Sequence, residues 1–293
     1  LTLDEYLKVR REEVEAALDE LVPRDDERPS TIHRAMRHSL FAGGKRIRPI
    51  LFMAAAEAVS DPDAESLKAA CSLELIHTYS LIHDDLPALD NDDFRRGRPT
   101  AHKVFGEAMA ILAGDALLTR AFEVLAGLTG PSDRRIALVG ELATTSGTVN
   151  GMIGGQVADL EAEGQPVEEE RLLYIHRSKT GALIRAAVRM GGVWAGSSAQ
   201  QLRALDEFGR SVGMAFQIVD DILDVTATSE ELGKTAGKDA EQEKATYPAL
   251  YGLEESRRLA REQYEAAVAA AEMFGERGLR LREIAGRVVE RSN

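Results

Sequence analysis

The chain holds one cysteine, Cys71, and that scarcity excludes an intrachain disulfide and any cysteine-rich zinc site. Set in the run AACSLEL, the thiol reads as a small buried residue of a helix. No run approaches the roughly 18 apolar residues that a membrane span needs. The N-terminal stretch LTLDEYLKVRREEVEAAL is charged and helical in period, unlike a signal or transit sequence. The expectation is a soluble cytoplasmic protein without a membrane span. Basic residues are in deficit, with 36 Lys and Arg against 49 Asp and Glu. The formal charge of −13 argues against nucleic acid as a partner. Strand signals are nearly missing too, since no alternating Val/Ile/Thr runs lie between turn pairs.

What the 293 residues do contain is Ala, Leu, Glu and Arg at a spacing of about 3.6 residues, with an apolar fraction of 44% that suffices for a sizeable core. The pattern predicts helices at about 2–21, 29–42, 48–60, 63–86, 107–128, 133–162, 168–178, 181–195, 199–228, 246–251, 254–274 and 278–291. Breakers separate them: Pro23, Gly43-Gly44, Asp61-Pro62, Gly130-Pro131, Gly164-Gln165-Pro166, and the stretch from Gly233 to Gly237. No composition shift and no internal repeat divides the chain, so one all-α domain over residues 1–293 is expected. The long apolar helices near 63–86, 133–162 and 199–228 belong at the centre, around a cavity or at a dimer seam. The sequence leaves both open.

The densest chemistry lies in HTYSLIHDDLPALDNDDFRRGRPT, from His77 to Thr100. An apolar lead-in reaches Asp84-Asp85, Asp90 follows after four apolar residues, and Arg95-Arg96 come just beyond. Carboxylates at that density suit hard divalent cations, which take oxygen ligands. Neighbouring guanidiniums suit phosphate oxygens. Acid plus arginine reads as metal plus diphosphate. In an unbroken helix Asp90 would sit about 240° round from Asp84. Pro87 conflicts with the carbonyl of His83, so the helix is expected to bulge or end near 84–88 and return Asp90 to the side of Asp84. Asp92 and Asp93 are assigned to an exposed turn. His77, seven residues before Asp84 on nearly the same face, reads as either a satisfied core histidine or a donor to phosphate.

A second cluster, DDILD, places Asp220, Asp221 and Asp224 within an arc of about 100°. Gln217 lies one turn earlier, and Gly213 and Gly209 extend the line. That face has no apolar stripe, yet its flanks are too apolar for a solvated helix, so a metal- or cation-facing role is expected. The segment FAGGKRIRP offers Lys45, Arg46 and Arg48 after two glycines and before a helix start, which suits an anion and equally a solvated loop. In HRSKTGAL, Lys179 and Thr180 interrupt a helical pattern, with Thr180 available to cap the next helix. Lys234, Lys238 and Lys244 fall on a Gly-rich loop, suited to a lid over a polyanion or to a solvated loop.

Together, GGKRIRP, ELIHTYSLIHDDLPALDNDDFRRGRPT, GQVADL, HRSKTGALI, FQIVDDILD and LGKTAGKDAEQEKATYPAL resemble, in this order, the trans-isoprenyl diphosphate synthases over essentially residues 30–255. The resemblance implies a single-domain bundle of long helices around a central cavity, of the isoprenoid synthase type, working as a homodimer. It implies that an allylic diphosphate, dimethylallyl or geranyl, ionises and is attacked by the double bond of isopentenyl diphosphate. The departing diphosphate then takes the proton, and no protein base is named. A cluster of about three Mg²⁺ ions is implied, with Mn²⁺ an alternative. Asp84, Asp90 and Asp220 would ligate the metal, assisted by Asp85, Asp221 and Asp224. Arg95, Lys179, Lys234 and Lys244 would hold the allylic diphosphate, and Lys45, Arg48, His77 and Arg96 the isopentenyl diphosphate. Thr180 and Gln217 would set oxygen dipoles near the developing cation.

In this family the residues four and five positions before the first aspartate-rich motif floor the pocket, here Ser80 and Tyr79. The small serine leaves room, and the tyrosine resembles the residue that stops growth at fifteen carbons. On an ideal helix Ser80 lies within about 40° of Asp84 but Tyr79 about 140° away, so Tyr79 needs neighbouring helices to act as a floor. Farnesyl diphosphate is the favoured product, with geranylgeranyl diphosphate its rival. The four-residue gap in DDLPALD resembles bacterial farnesyl and many bacterial or plastid geranylgeranyl diphosphate synthases. A class I terpene cyclase needs no second diphosphate site and pairs its motif with an Asn/Ser/Glu-type one, so DDILD, GGKR and Arg96 weigh against it. A non-catalytic partner subunit would have lost some aspartates, and none is lost here.

Overall fold

The computed structural model of the chain describes residues 1–166, 168–226 and 246–290. Among these the secondary structure is helical except for a ribbon of two short strands, β1 (Phe94–Arg95) paired antiparallel with β2 (Arg98–Pro99). The all-α expectation holds. The chain groups into two compact units, Leu1–Ile50 with Asp63–Val139, and Leu51–Pro62 with Gly140–Asn293.

The first unit contains α1 (Leu3–Leu21), α2 (Ser30–Leu40), α4 (Ala64–Asp84), the ribbon, α5 (Ala101–Phe105) and α6 (Glu107–Gly127). Helices α3 (Ile47–Val59) and α7 (Ser132–Ser146) have residues in both units. Capping boxes start two of the helices. The Thr2 hydroxyl accepts from the Glu5 amide at 3.3 Å while the Glu5 carboxylate accepts from the Thr2 amide at 2.8 Å. Asp63 and Ser66 repeat the exchange at the head of α4. Helix α4 is buried on nearly every side, through Ala69, Cys71, Leu73, Leu75, Ile76 and Ile82, and packs against α1, α2 and α6. It ends at Asp84, two residues short of the predicted boundary, because Pro87 cannot continue it. The chain then folds back. The Asp90 amide donates to the Asp84 carbonyl at 2.8 Å and the Asp92 amide to the Asp85 carbonyl at 3.2 Å, so Asp90 returns beside Asp84 as expected.

The second unit contains α8 (Met152–Ala162), α9 (Glu169–Ile175), a π-helical turn (His176–Gly181), α10 (Ala182–Ala195), α11 (Ala199–Thr226), α12 (Tyr247–Tyr251), α13 (Leu253–Ala271), a 3₁₀ turn (Glu272–Gly278) and α14 (Leu279–Glu290). Helix α11 packs against α10, α13 and the π turn, and Leu172, Ile218, Val219, Ile222, Tyr247 and Ala260 form a core beside it. No helix among the described residues is long and apolar enough to cross a membrane.

Two helix expectations are corrected. The long helix at 133–162 is two, α7 and α8, because the chain turns through Asn150 at φ +55° and a Cβ on Gly151 would lie 2.5 Å from the Gly147 carbonyl oxygen. The helices at 168–178 and 181–195 are one continuous rod, their junction widened into the π turn and not broken there. The separate helices expected at 254–274 and 278–291 are found as α13 and α14, joined by the 3₁₀ turn kinked at Gly275, φ +55°.

The π turn is met by backbone. A Cβ on Gly155 of α8 would fall 2.2 Å from the Lys179 amide nitrogen, an approach only glycine allows. Gly155→Ala should therefore lower stability by about 1–3 kcal/mol, read as a drop in the urea midpoint at constant m-value. An unshifted midpoint would show that α8 and the turn separate without cost.

Candidate active site

In the first unit the FAGGKRIRP segment divides its cations among three environments. Gly43 (φ +92°) and Gly44 (φ +139°) take conformations that favour glycine. A Cβ on Gly44 would fall 2.6 Å from Nη1 of Arg96, which lies over this turn and donates to the Gly43 carbonyl. Lys45 is exposed. Arg46 turns inward with φ +52° and is engaged by protein on every nitrogen. Its Nε donates to Glu15 at 2.7 Å, Nη1 to Glu74 at 2.7 Å and Nη2 to the Leu40 carbonyl at 2.6 Å. Arg48 is also buried, but its Nε has no hydrogen-bond partner among the described residues.

Electrostatics follow from that packing. Burial lowers the Arg48 guanidinium to about 10, with Glu74 opposing and Arg96 adding to the shift. His77 is half-buried on α4, and desolvation holds its imidazole well below the ordinary value, reinforced by Arg48, Arg96, Arg95 and Arg46. Arg96 is lowered by burial and by Arg46 and Arg95, against the pull of Glu74. Buried Arg48, half-buried His77 and exposed Arg96 thus stand within one another's field as cationic or donor groups, an arrangement in which a bound anion relieves repulsion.

The aspartate-rich turn lies beside them. Asp85 is 4% exposed and accepts from Arg95 Nε at 2.7 Å, with Nη2 of the same arginine at 2.5 Å. Burial lifts the Asp85 carboxyl above the aspartate range and Arg95 opposes that shift. Asp84 and Asp90 are half-buried. Asp93 is exposed, as expected, with Lys103 at 2.9 Å. Asp92 departs from the expected exposed turn, being half-buried with Arg95 3.7 Å away. The tight β1–β2 ribbon separates the two arginines, sending Arg95 to the carboxylates and Arg96 to the glycine turn. One turn back, Tyr79 is 5% exposed, and burial with Asp84 nearby pushes its phenol up to about 12. Ser80 is half-buried, its hydroxyl donating to the His77 carbonyl at 2.8 Å.

In the second unit α11 carries DDILD without a break, with Asp221 and Asp224 buried and Asp220 and Gln217 half-buried. The glycine line that looked unfit for packing is a packing face. A Cβ on Gly209 would lie 2.9 Å from the Arg185 Cα, and one on Gly213 would lie 3.1 Å from the Gly181 Cα. Asp221 accepts from the Tyr247 amide at 2.8 Å, and His176 Nε2 lies 3.6 Å from it. His176 stacks on the Tyr247 ring, centroids 5.4 Å apart. Burial, with Lys179 adding and Asp159 opposing, pushes His176 down to about 4, so it is neutral at pH 7. Lys179 Nζ donates to Asp159 at 2.6 Å. Thr180 lies half-buried inside the π turn and caps no helix, which corrects the capping option. Lys234, Lys238 and Lys244 lie outside the described residues.

Among the described residues no group of three His, Cys, Asp or Glu side chains converges as a ready-made metal cage. The donor set nonetheless fits Mg²⁺, which is bound through one or two carboxylates together with substrate phosphates and water. In the first unit half-buried Asp84 and Asp90 are hard oxygen donors of that kind, and in the second unit so is half-buried Asp220.

Sequence reasoning overlooked four residues: Glu74, the counter-charge of the cation cluster; Asp159, the partner of Lys179; and His176 with Tyr247, which flank Asp221. Glu74 was the most accessible, since its three-residue spacing from His77 sets both on one side of α4.

The chain matches the Polyprenyl synthetase family over residues 29–276. It is 48% identical over 256 residues to the farnesyl diphosphate synthase of Geobacillus stearothermophilus, covering 86% of each chain. It is 51% identical over 263 residues to the chloroplastic heterodimeric geranylgeranyl pyrophosphate synthase large subunit 1 of Arabidopsis thaliana, covering 87% of this chain and 70% of that one. The crystal structure of a geranyltransferase from Legionella pneumophila shares the all-helical fold with a TM-score of 0.87 at 34% identity, covering 100% of this chain and 99% of that one.

Arg46 and Lys45 make a direct test of which cation is structural. Glu74→Ala withdraws one carboxylate from a buried guanidinium and should destabilise the protein by about 3 kcal/mol. Lys45→Ala, at an exposed position, should change stability by no more than about 0.5 kcal/mol. Equal denaturant midpoints for the two variants would reject the division.

Proposed function

This chain belongs to the polyprenyl synthetase family and is a prenyltransferase, and from that premise we propose that it joins isopentenyl diphosphate head to tail to dimethylallyl and geranyl diphosphates and stops at farnesyl diphosphate. The observation that carries the fifteen-carbon product is Tyr79, a bulky side chain 5% exposed on α4, one turn before the Asp84-Asp85 pair. Geranylgeranyl diphosphate is the second reading, favoured by the similarity to the Arabidopsis thaliana enzyme and by the small side chain of Ser80. In this proposal residues 1–293 work as one domain of a cytoplasmic homodimer.

Isopentenyl diphosphate binds at Lys45, Arg48, His77 and Arg96. What supports this is the unpartnered Nε of Arg48 and the surplus of cations around His77, which a diphosphate would satisfy with charge-assisted hydrogen bonds. The allylic diphosphate is held by Arg95 and Lys179, with Lys234 and Lys244. Both described cations are matched to carboxylates, Asp85 and Asp159, that keep them aimed until phosphate oxygens arrive. Asp84, Asp90 and Asp220 are the oxygen donors for Mg²⁺, with Asp85, Asp221 and Asp224 in support. Bound Mg²⁺ supplies the charge neutralisation that makes diphosphate a competent leaving group. Thr180 and Gln217 direct oxygen dipoles at the carbocation, and apolar helix walls keep water from it. Asp221 is oriented by the Tyr247 amide, which donates to its carboxylate.

Purified protein given dimethylallyl diphosphate, excess isopentenyl diphosphate and Mg²⁺ should yield a fifteen-carbon product, and chelation with EDTA should stop it. Tyr79→Ala should shift the product to twenty carbons or more. A wild-type product of twenty carbons would transfer the assignment to geranylgeranyl diphosphate, and absence of any chain growth would reject the catalytic reading. Arg48→Ala should raise KM for isopentenyl diphosphate by about 10- to 100-fold while leaving KM for the allylic partner within about threefold.

A further inference from the structure

Tyr79 does not hold its orientation through its own polar atom, because the hydroxyl has no hydrogen-bond partner among the described residues. His83, one turn further along α4, meets its ring edge to face, with centroids 5.7 Å apart and planes at 77°. His83 is anchored in turn on α6, its Nε2 lying 3.0 Å from the Ile111 carbonyl oxygen, the geometry of a donor hydrogen bond from the Nε2–H tautomer. To reach that carbonyl the imidazole must lie across α6 at Gly114. A Cβ at Gly114 would stand 2.1 Å from His83 Nε2, 2.5 Å from Cδ2 and 2.9 Å from Cε1, inside the ring's own volume. Gly114 has no left-handed φ and sits within a helix, where glycine weakens the backbone relative to alanine. The space occupied by the His83 ring is therefore the reason the position carries no side chain.

Resting on the reading of Tyr79 as the floor of the chain pocket, we propose that Gly114 and His83 are positioning residues for product length. The absent side chain at 114 admits the imidazole, and the imidazole braces Tyr79 in the orientation that stops chain growth. An edge-to-face contact biases a ring's orientation by about two- to tenfold. The His83 side chain is 27% exposed, so a methyl group at 114 can displace it toward solvent and away from Tyr79.

The test compares wild type with Gly114→Ala, His83→Ala, the double variant and Tyr79→Ala. Each is assayed with dimethylallyl diphosphate, excess isopentenyl diphosphate and Mg²⁺, and the ratio of twenty-carbon to fifteen-carbon product is read. Gly114→Ala and His83→Ala should each raise that ratio by about two- to tenfold. The double variant should match His83→Ala alone, because without the ring the new methyl group displaces nothing. If Tyr79→Ala lengthens the product while both brace variants leave the ratio at the wild-type value, the brace is wrong and the floor stands. Multiplying effects in the double variant would likewise overturn the shared route. If Tyr79→Ala leaves the products unchanged, floor and brace fall together. Should Gly114→Ala fail to fold, His83→Ala decides the matter by itself.

Discussion

Arg46 keeps its charge inside the protein because Glu74 and Glu15 stand 2.7 Å from its nitrogens. An ion withdrawn from water loses several kcal/mol of solvation, which only close and well-formed pairing offsets. Much of the first unit's local geometry follows from that requirement. The backbone passes through positive φ at Gly43, Gly44 and Arg46 to carry the guanidinium inward. Glu74 must then lie on the inner side of α4, one turn before His77. Because Glu74 is taken up by Arg46, Arg48 feels its field but gains no hydrogen bond on Nε. One buried cation is neutralised so that its neighbours can remain receptive.

A second constraint is the distance between helix backbones. Gly155 against Lys179, Gly209 against Arg185 and Gly213 against Gly181 are contacts in which an added Cβ would meet another residue's backbone at 2.2, 2.9 and 3.1 Å. The Gly155 and Gly213 contacts fix the π turn from two sides, through α8 and α11, and with it the position of Lys179 near Asp159, while Gly209 sets α11 close against α10. Here precision in the site comes from the absence of side chains at a few points, not from added contacts. The rods can approach because nothing protrudes.

The parts of this fold that were legible in the sequence are those governed by local chemistry. Helix period, the proline that ends α4 and the return of Asp90 to Asp84 all follow from rules acting over a few residues. The misreadings concern junctions. The break within 133–162 comes from the positive φ of Asn150 and the tight turn at Gly151, which apolar periodicity does not register, and the continuous rod through 168–195 depends on which backbone lies opposite. The same holds for the site. Aspartates and arginines announce themselves by density, whereas Glu74, Asp159 and His176 matter through partners distant in the chain. Arg46 and Arg48, two positions apart in one basic run, are both buried and have different roles that only their hydrogen-bond partners distinguish.

The π turn at His176–Gly181 accommodates one residue more than an α-helical turn of the same rise would. In an α-helix each residue advances the wheel by about 100°, so α9 and α10, though coaxial in sequence, are out of phase by about that angle. A single helical wheel drawn through both would scatter their buried positions over two sectors. Seen in that light, the extra residue is an angular offset more than a defect. Losing one residue here would rotate an entire helix face and leave the rod almost as long as before.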